Sequence, residues 1–282
     1  MLRRFATAGL LAAIAGCAKQ EAKVDSTATA VAPTPNVVTV TTTDFAFTAP
    51  DTIPAGMTTL VLQNQGATIH HVQLLRLKDG KTLADLQEGL KHMKPTDPPP
   101  PWIEDAGGVN TPMPGAESRA TLSIEPGDYA MICFIDTPDK VPHVMKGMIK
   151  GLTVTGPSVA AYELPSDVTL TLSDYTFAFS TPLTAGQHVV KIVNTAAQSH
   201  EFVVFKLAEG KTMDDLGKWA TTYKGDPPGA LLGGIPAMRN GQTEFVPLDL
   251  TPGNYVALCF VPDAKDGKPH LDHGMVLPFT IS

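Results

Sequence analysis

Two parts of this chain are copies of each other, and this repeat limits the possible fold more than any other feature. The segment "DFAFTAPDTIPAG" at 44–56 aligns with "DYTFAFSTPLTAG" at 174–186. "HHVQLLRLKDGKTLADL", which begins at His70, aligns with "HEFVVFKLAEGKTMDDL", which begins at His200, and both pairs are offset by 130 residues. Self-similarity at a fixed offset indicates a repeated structural unit.

The repeat continues toward the end of each copy. "EPGDYAMICF" at 125–134 matches "TPGNYVALCF" at 251–260 with an offset of 126, so the first copy carries four extra residues in its middle. We therefore predict two homologous domains joined by a short linker. The predicted bounds of the first domain, the linker and the second domain are 37–155, 156–166 and 167–282.

The local patterns within each copy are mostly those of strands. Short alternating or β-branched runs such as "VVTVTTTDFAF" and "TTLVLQN" predict several short strands, which at this spacing are typical of a β-sandwich. "KTLADLQEGLKHM" and "KTMDDLGKWATTY" have Thr before an acidic first turn and apolar residues at helical spacing, which predicts one short helix per copy. The Pro and Gly content of the following segments, "KPTDPPPPWIEDAGG" and "KGDPPGALLGG", predicts irregular loops at one end of the sandwich.

The N-terminal segment has the order of an export signal. "MLRRFATAGLLAAIAGC" contains two arginines, an apolar run too short to span a bilayer, and small residues directly before Cys17. Ile-Ala-Gly-Cys resembles the lipobox of bacterial lipoproteins, which implies removal of residues 1–16 and lipidation of Cys17; a plain signal peptide is the alternative. Residues 17–36, rich in Ala, Thr and Pro, predict a flexible tether. We expect a lipid-anchored protein of the bacterial cell envelope, facing the periplasm or at the outer membrane.

The charge of the chain argues against nucleic acid as a partner. The formal charge is −7 at pH 7, and it becomes −9 if Arg3 and Arg4 leave with the signal. The sequence has no basic stripe of the kind that nucleic acid requires. No long apolar run follows Cys17, so we expect no membrane span there.

Each copy ends in a run of residue types that bind soft metals. "CFIDTPDKVPHVMKGM" at 133–148 and "CFVPDAKDGKPHLDHGM" at 259–275 both contain Cys, then Pro-His, then Gly-Met, with four residues between His and Met. An upstream His begins a predicted strand in each copy. Two imidazoles, one thiolate and a distant thioether form the set that holds copper in single-electron carriers.

This pattern resembles the cupredoxin, or blue copper, family, and the Cys-to-His segment of the first copy most resembles the corresponding loop of copper nitrite reductase domains. The resemblance implies an all-β chain of two tandem Greek-key β-sandwiches, each with a short helical insertion, and up to two type 1 copper ions. The ligands that it implies are His70, Cys133, His143 and Met148 in the first copy, and His200, Cys259, His270 and Met275 in the second.

The two cysteines of these runs also have simpler explanations. Cys133 and Cys259 could be buried thiols, or they could form a disulfide in an oxidising compartment. A disulfide between equivalent positions of two domain cores would need Cα atoms within about 7 Å of each other. A reduced Cys that occurs twice in such a compartment is more simply explained by a metal.

Several other histidines compete with the proposed ligands. Only His70 aligns with His200, and strand alternation sends His71 to the opposite face. His273 has Lys146 as its counterpart in the first copy, so we expect a solvated loop residue there. Two further histidines lack a counterpart and are expected at the surface: His92 and His188.

The chain departs from the family at one position in each copy. In blue copper proteins an Asn often follows the first His and helps to hold the loop beside the thiolate, whereas His71 and Glu201 stand there in this sequence. Glu201 would place a carboxylate near the thiolate unless its side chain turned outward.

The residues beside the two cysteines lead us to predict that the protein is not an enzyme. Copper oxidases and nitrite reductases need further histidines, including ones next to the thiolate Cys. The neighbours here are Ile132 and Phe134, and Leu258 and Phe260. Three functions remain: a one-electron carrier with a redox partner protein, a copper carrier or delivery protein without such a partner, and a metal-free interaction module.

Overall fold

The computed structural model describes residues 34–93 and 99–282, and nearly all of its regular structure is β-strand. The expectation of an all-β chain is therefore confirmed. The strands of the first half are β1 (Asn36–Thr43), β2 (Ala46–Thr48), β3 (Thr52–Pro54), β4 (Gly56–Asn64), β5 (Val72–Leu77), β6 (Ile103–Val109), β7 (Glu117–Ile124), β8 (Gly127–Ile132) and β9 (Ile149–Thr155). Those of the second half are β10 (Val168–Ser173), β11 (Thr176–Phe179), β12 (Gly186–Asn194), β13 (His200–Leu207), β14 (Gly229–Met238), β15 (Thr243–Leu250), β16 (Gly253–Leu258) and β17 (Val276–Ile281).

The strands form two sheets, and each sheet contains strands from both halves. One sheet has the order β11-β10-β12-β15-β7-β4-β1-β2, and the other has the order β17-β16-β13-β14-β6-β5-β8-β9-β3. The halves meet edge to edge where β15 pairs with β7 and where β14 pairs with β6. The two sandwiches of the repeat are thus joined through shared sheets. The domain bounds 37–155 and 167–282 stay a prediction.

The main hydrophobic core lies between the two sheets and runs through both halves. It includes Leu62 and Leu122 of the first half together with Ile192 and Val246 of the second, all of them fully or almost fully buried. Burial of one such side chain contributes about 1.5–3 kcal/mol to folding. Because strand side chains alternate between faces, the opposite faces of β5 and β13 remain free to pack against the two helices.

Each half contains the short helix that the sequence predicts. Helix α1 spans Leu83–His92 and helix α2 spans Met213–Thr222. Both begin with a capping box, in which a Thr side chain accepts a hydrogen bond from the backbone N–H three residues later and an Asp side chain accepts one in return. Leu86 and Leu216 anchor the helices in two small satellite cores.

The expectation of irregular loops after the helices is wrong for part of each segment. The glycine-rich stretches form β6 and β14, which are the strands at the junction of the halves. Glycine permits this path because its backbone reaches φ values that other residues avoid. Gly108 has φ 142° and Gly234 has φ 120°, and a Cβ on Gly234 would lie 1.8 Å from the carbonyl oxygen of Phe202.

Substitution of Gly234 tests this role of the close backbone approach. Gly234→Ala should lower the free energy of unfolding by roughly 3 kcal/mol or more, because strain and a backbone clash add together. Gly241→Ala is the matched control, since Gly241 has φ 74° but open space around its Cβ position, and it should cost only about 1 kcal/mol. Equal losses in urea unfolding of the two variants would contradict the role assigned to Gly234.

Candidate metal centres

The first candidate site lies where three segments of the first half meet. His70 precedes β5, Cys133 directly follows β8, and His143 begins a 3-10 turn at His143–Lys146. All three side chains are buried. His70 Nδ1 lies 3.1 Å from His143 Nδ1, and Cys133 Sγ lies 3.5 Å from His143 Nδ1. Three residues that are far apart in sequence thus converge on one point.

The second half repeats this arrangement. His200 begins β13, Cys259 follows β16, and His270 begins a 3-10 turn at His270–His273. Cys259 Sγ lies 3.9 Å from His200 Nδ1 and 3.4 Å from His270 Nδ1. These three side chains are also fully buried. We call the two groups the first cluster (His70, Cys133, His143) and the second cluster (His200, Cys259, His270).

The two candidate thioether ligands are tied to the clusters through their backbones. The N–H of Met148 donates to the carbonyl of His143 at 3.0 Å, and the N–H of Cys133 donates to the carbonyl of Met148 at 3.3 Å. The N–H of Met275 donates to the carbonyl of His270 at 3.0 Å. Both Met side chains are fully buried. The structure therefore brings six of the eight sequence-predicted ligands into the two clusters and ties the backbones of the two methionines to them; the ligand role of all eight stays a prediction.

A carboxylate orients the first imidazole of each cluster. Asp44 Oδ1 lies 2.6 Å from His70 Nε2, and Asp174 Oδ1 lies 3.1 Å from His200 Nε2. Since an ionised carboxylate only accepts hydrogen bonds, this network assigns the proton of the neutral imidazole to Nε2. The lone pair of Nδ1 then faces the cluster, as in carboxylate–histidine pairs that support metal ligands.

Sequence reasoning missed these two carboxylates, although a signal for them was present. Asp44 and Asp174 are the first residues of the aligned segments and therefore occupy equivalent positions of the repeat. The first pair is also helped by Gly66, because a Cβ there would lie 2.4 Å from Asp44 Oδ1 and 2.6 Å from His70 Nε2. The second copy has Ala196 at this position, and its carboxylate–imidazole distance is the longer one.

Burial keeps the cluster imidazoles neutral at neutral pH. Desolvation, with a smaller contribution from the neighbouring imidazole, lowers the pKa of His143 and that of His270 to about 4. Desolvation also lowers the pKa values of His70 and His200, although their carboxylate partners act in the opposite direction. A neutral imidazole offers the lone pair that a metal needs, so the clusters are ready to bind without first releasing protons from histidine.

The two thiols are protonated in the absence of a metal. Burial raises the pKa of Cys133 to about 12, and it raises the pKa of Cys259 further, with a contribution from the carboxylate of Glu201. The neutral thiol is the stable form because a thiolate without a cation is costly in an apolar environment. A metal ion would therefore displace one proton from each cysteine.

The residues after the first histidines hold the backbone just beyond each cysteine. His71 Nε2 accepts a hydrogen bond from the N–H of Phe134 at 3.0 Å, and Glu201 Oε1 accepts one from the N–H of Phe260 at 2.5 Å. As strand alternation predicts, His71 does not join the first cluster, although it is buried against the cysteine loop. Burial lowers the pKa of His71 to about 3 and raises the pKa of Glu201 to about 7.

The remaining histidines differ in their surroundings. His92 and His273 are exposed, as the sequence predicts. The expectation of surface exposure is wrong for His188, whose side chain is largely covered because it is held against Asp167 at 2.5 Å, which raises the pKa of His188.

The described residues contain no disulfide between Cys133 and Cys259, which are both free thiols. Cys17 lies outside the described residues.

The separations between the cluster atoms suit a bound transition metal. An ion in a trigonal site, about 2.0 Å from nitrogen and about 2.3 Å from sulfur, keeps its ligand atoms roughly 3.5 to 3.7 Å apart. The recorded separations run from 3.1 to 3.9 Å. Two imidazoles and one thiol form a donor set that suits copper. The residues present thus fit such an ion in both halves.

No family model and no curated protein matches this chain. Several solved structures are similar to it. Auracyanin from Roseiflexus castenholzii is 19% identical over 44% of this chain and 100% of its own, with a TM-score of 0.29. The blue copper oxidase from Nitrosomonas europaea is 16% identical over 88% of this chain and 86% of its own, with a TM-score of 0.27. The copper nitrite reductase from the same organism is 10% identical over 88% of this chain and 94% of its own, with a TM-score of 0.25.

The strand order agrees with the fold expected from the sequence. The two-sheet arrangement, with a His/Cys/His cluster at the strand ends of each half, is cupredoxin-like. The exclusion of enzymes, however, is wrong, because structures of a multicopper oxidase and of copper nitrite reductases are among those that match. That exclusion considered only the sequence neighbours of Cys133 and Cys259, whereas the clusters show that this fold assembles a centre from distant segments.

The buried imidazoles should make the metal-free protein less stable in acid. A histidine with a lowered pKa contributes stability that is present above its unfolded value of 6.5 and is lost as the pH falls toward 4. After allowance for solvent screening, we expect a loss on the order of 1 kcal/mol for each such histidine between pH 7 and pH 5.

Urea unfolding of the metal-free protein at these two pH values measures this loss. The double variant His143→Gln, His270→Gln should lose less stability than the wild type over the same interval, and His92→Gln, which changes an exposed side chain, should behave as the wild type. Glu201 acts in the opposite direction, since its raised pKa favours folding at low pH, but it contributes equally to all three proteins. An unchanged pH dependence in the double variant would contradict this assignment.

Proposed function

We propose that this protein binds one copper ion at each cluster and exchanges single electrons with a redox partner protein. The observation that carries this proposal is that two imidazole nitrogens and one thiol sulfur converge in both halves of the repeat. Each set is buried, and a buried methionine is hydrogen-bonded through its backbone to the second histidine of each set. A His/Cys/His set with a weak axial methionine is the ligand set of type 1 copper, which supplies a one-electron couple when it is bound.

The chain holds its candidate ligands in place before any ion binds. Asp44 fixes the ring of His70, and the backbone bonds of Met148 fix the turn that carries His143. His71 fixes the chain just beyond Cys133. Ligands that are already oriented do not need to rearrange when the charge of the ion changes, which favours electron exchange. The second half supplies the same functions through Asp174, Met275 and Glu201.

The proposed location is the bacterial cell envelope, with a lipid anchor at Cys17. The support is the order of arginines, apolar run and small residues before Cys17, together with the tether that follows. In the part of the chain that the structure describes, no helix has both the length and the apolar character that a membrane crossing demands. An anchor of this kind leaves residues 37–282 free to meet a partner in the envelope.

Copper titration tests the proposed sites. The full chain should bind two copper ions at its clusters and show the intense visible absorption of a copper–thiolate bond, and Cys133→Ser and Cys259→Ser should each remove about half of that absorption. A reductive titration should consume one electron per bound copper. An unaltered spectrum in either variant would exclude that cysteine as a ligand, and copper without reversible reduction would indicate carriage or delivery in place of electron exchange.

Lipidation is tested separately. Cys17→Ser should remain in the aqueous phase on detergent partitioning of cells that produce it, whereas the wild-type chain should enter the detergent phase, because the acyl chains supply the membrane affinity. Metabolic labelling with a fatty acid should mark only the wild type. If the variant stays in the detergent phase, Cys17 is not the anchor.

A further inference from the structure

The two clusters contain the same side-chain types, but a carboxylate lies beside the second histidine of only one of them. His270 is fully buried, and because its Nδ1 faces Cys259 Sγ, its Nε2 carries the proton of the neutral ring. Asp263 Oδ2 lies 3.8 Å from this Nε2, and both side chains are almost completely covered. A negative charge is thus placed directly behind one of the candidate ligands of the second cluster.

The carboxylate of Asp263 is held in its ionised form by the donors around it. The hydroxyl of Tyr175 and the amide of Gln198 donate to Asp263 Oδ2 at 2.5 Å and 3.0 Å, and the N–H of Lys265 donates to Oδ1 at 2.8 Å. These hydrogen bonds lower the pKa of Asp263. Asp263 therefore keeps its charge at neutral pH and cannot leave its position without losing three hydrogen bonds.

The first half has an uncharged side chain at the equivalent position. Thr137 follows Cys133 by four residues, as Asp263 follows Cys259. Thr137 is buried, and its hydroxyl donates to the carbonyl of Val141 at 2.8 Å. Since a hydroxyl carries no net charge, the second histidine of the first cluster lacks the carboxylate that lies behind His270.

A cation lies near the first cluster instead. The ammonium of Lys146 is 5.7 Å from the centroid of the Phe45 ring, and that ring is 4.8 Å from the ring of His143. Lys146 also pairs at 3.0 Å with Asp139, whose side chain is largely exposed and therefore well screened by water. The counterpart of Lys146 in the second half is His273.

The second histidines of the two clusters thus face different charges. After desolvation and the neighbouring imidazole, one carboxylate and one ammonium act on the pKa of His143, whereas two carboxylates act on the pKa of His270. The charged groups are Asp44 and Lys146 in the first half, and Asp263 and Asp174 in the second. The surroundings of the second cluster are therefore the more negative.

We propose that copper in the second cluster has a lower reduction potential than copper in the first, so that an electron moves from the second cluster to the first. This inference rests on the proposed copper sites. A negative charge close to a metal ion favours its higher oxidation state, and a positive charge favours the lower one. In the transfer, Cu⁺ of the second cluster is oxidised to Cu²⁺ and Cu²⁺ of the first is reduced to Cu⁺, with no change in protons.

A reductive titration of the copper-loaded full chain, followed by its visible absorption, measures the two potentials. We expect two one-electron steps that differ by at least about tenfold in equilibrium constant, which corresponds to about 59 mV for one electron. Cys259→Ser should retain only the step at higher potential, and Cys133→Ser only the step at lower potential. These two variants assign each step to its cluster.

Exchange of the residues at the equivalent position tests the cause of the difference. Asp263→Asn in the Cys133→Ser background should raise the potential of the remaining copper, because the amide keeps the shape of the side chain without its charge. Thr137→Asp in the Cys259→Ser background should lower the potential of the remaining copper. Circular dichroism and an unchanged copper–thiolate band check that each variant keeps its fold and its site.

Asp266→Asn is the matched control, because it removes an exposed carboxylate from the same loop as Asp263. It should shift the potential much less than Asp263→Asn, since water screens the charge of Asp266. Two bound copper ions with equal potentials, or with the lower potential in the first cluster, would overturn this inference and leave the proposed copper sites intact. Failure to bind copper that can be reversibly reduced would overturn both.

Discussion

The hydrogen bond between the carboxylate of Asp44 and the imidazole of His70 determines what the first cluster can bind. It keeps the proton on Nε2, so the lone pair of Nδ1 points at Cys133 and His143. Without this bond, the ring could exchange its tautomer and offer an N–H to the cluster. Asp174 has the same role for His200 in the second half. Both clusters depend on a carboxylate that is more exposed than the ligands it orients.

The junction of the two halves also contributes to the second cluster. Asn110 of the first half donates to Glu201 Oε2 at 3.4 Å and to the carbonyl of Ile235 at 3.1 Å. Glu201 in turn accepts a hydrogen bond from the N–H of Phe260, the residue that follows Cys259. At the same junction Glu244 is fully buried, and desolvation raises its pKa well above the ordinary value of a carboxyl group. Gly107 makes room for the Glu244 side chain, since a Cβ at Gly107 would lie 1.6 Å from Glu244 Oε1. The first half therefore helps to shape a site that belongs to the second.

The repeat allowed the members of the two clusters to be predicted because the same residue types recur at equivalent positions of both copies, whereas the exposed competitor His273 does not recur. The helices were predictable because the caps Thr82 and Thr212 are local signals. The strands β6 and β14 were not predictable from local signals. Gly108 and Gly234 are needed there because the carbonyl groups of distant strands approach their backbones closely. The largely covered position of His188 was missed for a similar reason, because Asp167 is distant in sequence. The sharing of each sheet between the halves depends on edge pairing that no local pattern encodes.

The central claim is that each cluster holds one copper ion through ligands that the fold has already placed. Diffraction from crystals of the copper-loaded protein, recorded at the copper absorption edge, tests it most directly. The account predicts one strong anomalous peak bounded by His70 Nδ1, Cys133 Sγ and His143 Nδ1, and an equivalent peak in the second cluster, with the side chains close to their present positions. Copper found only at surface histidines, with both clusters free of anomalous signal, would contradict the account.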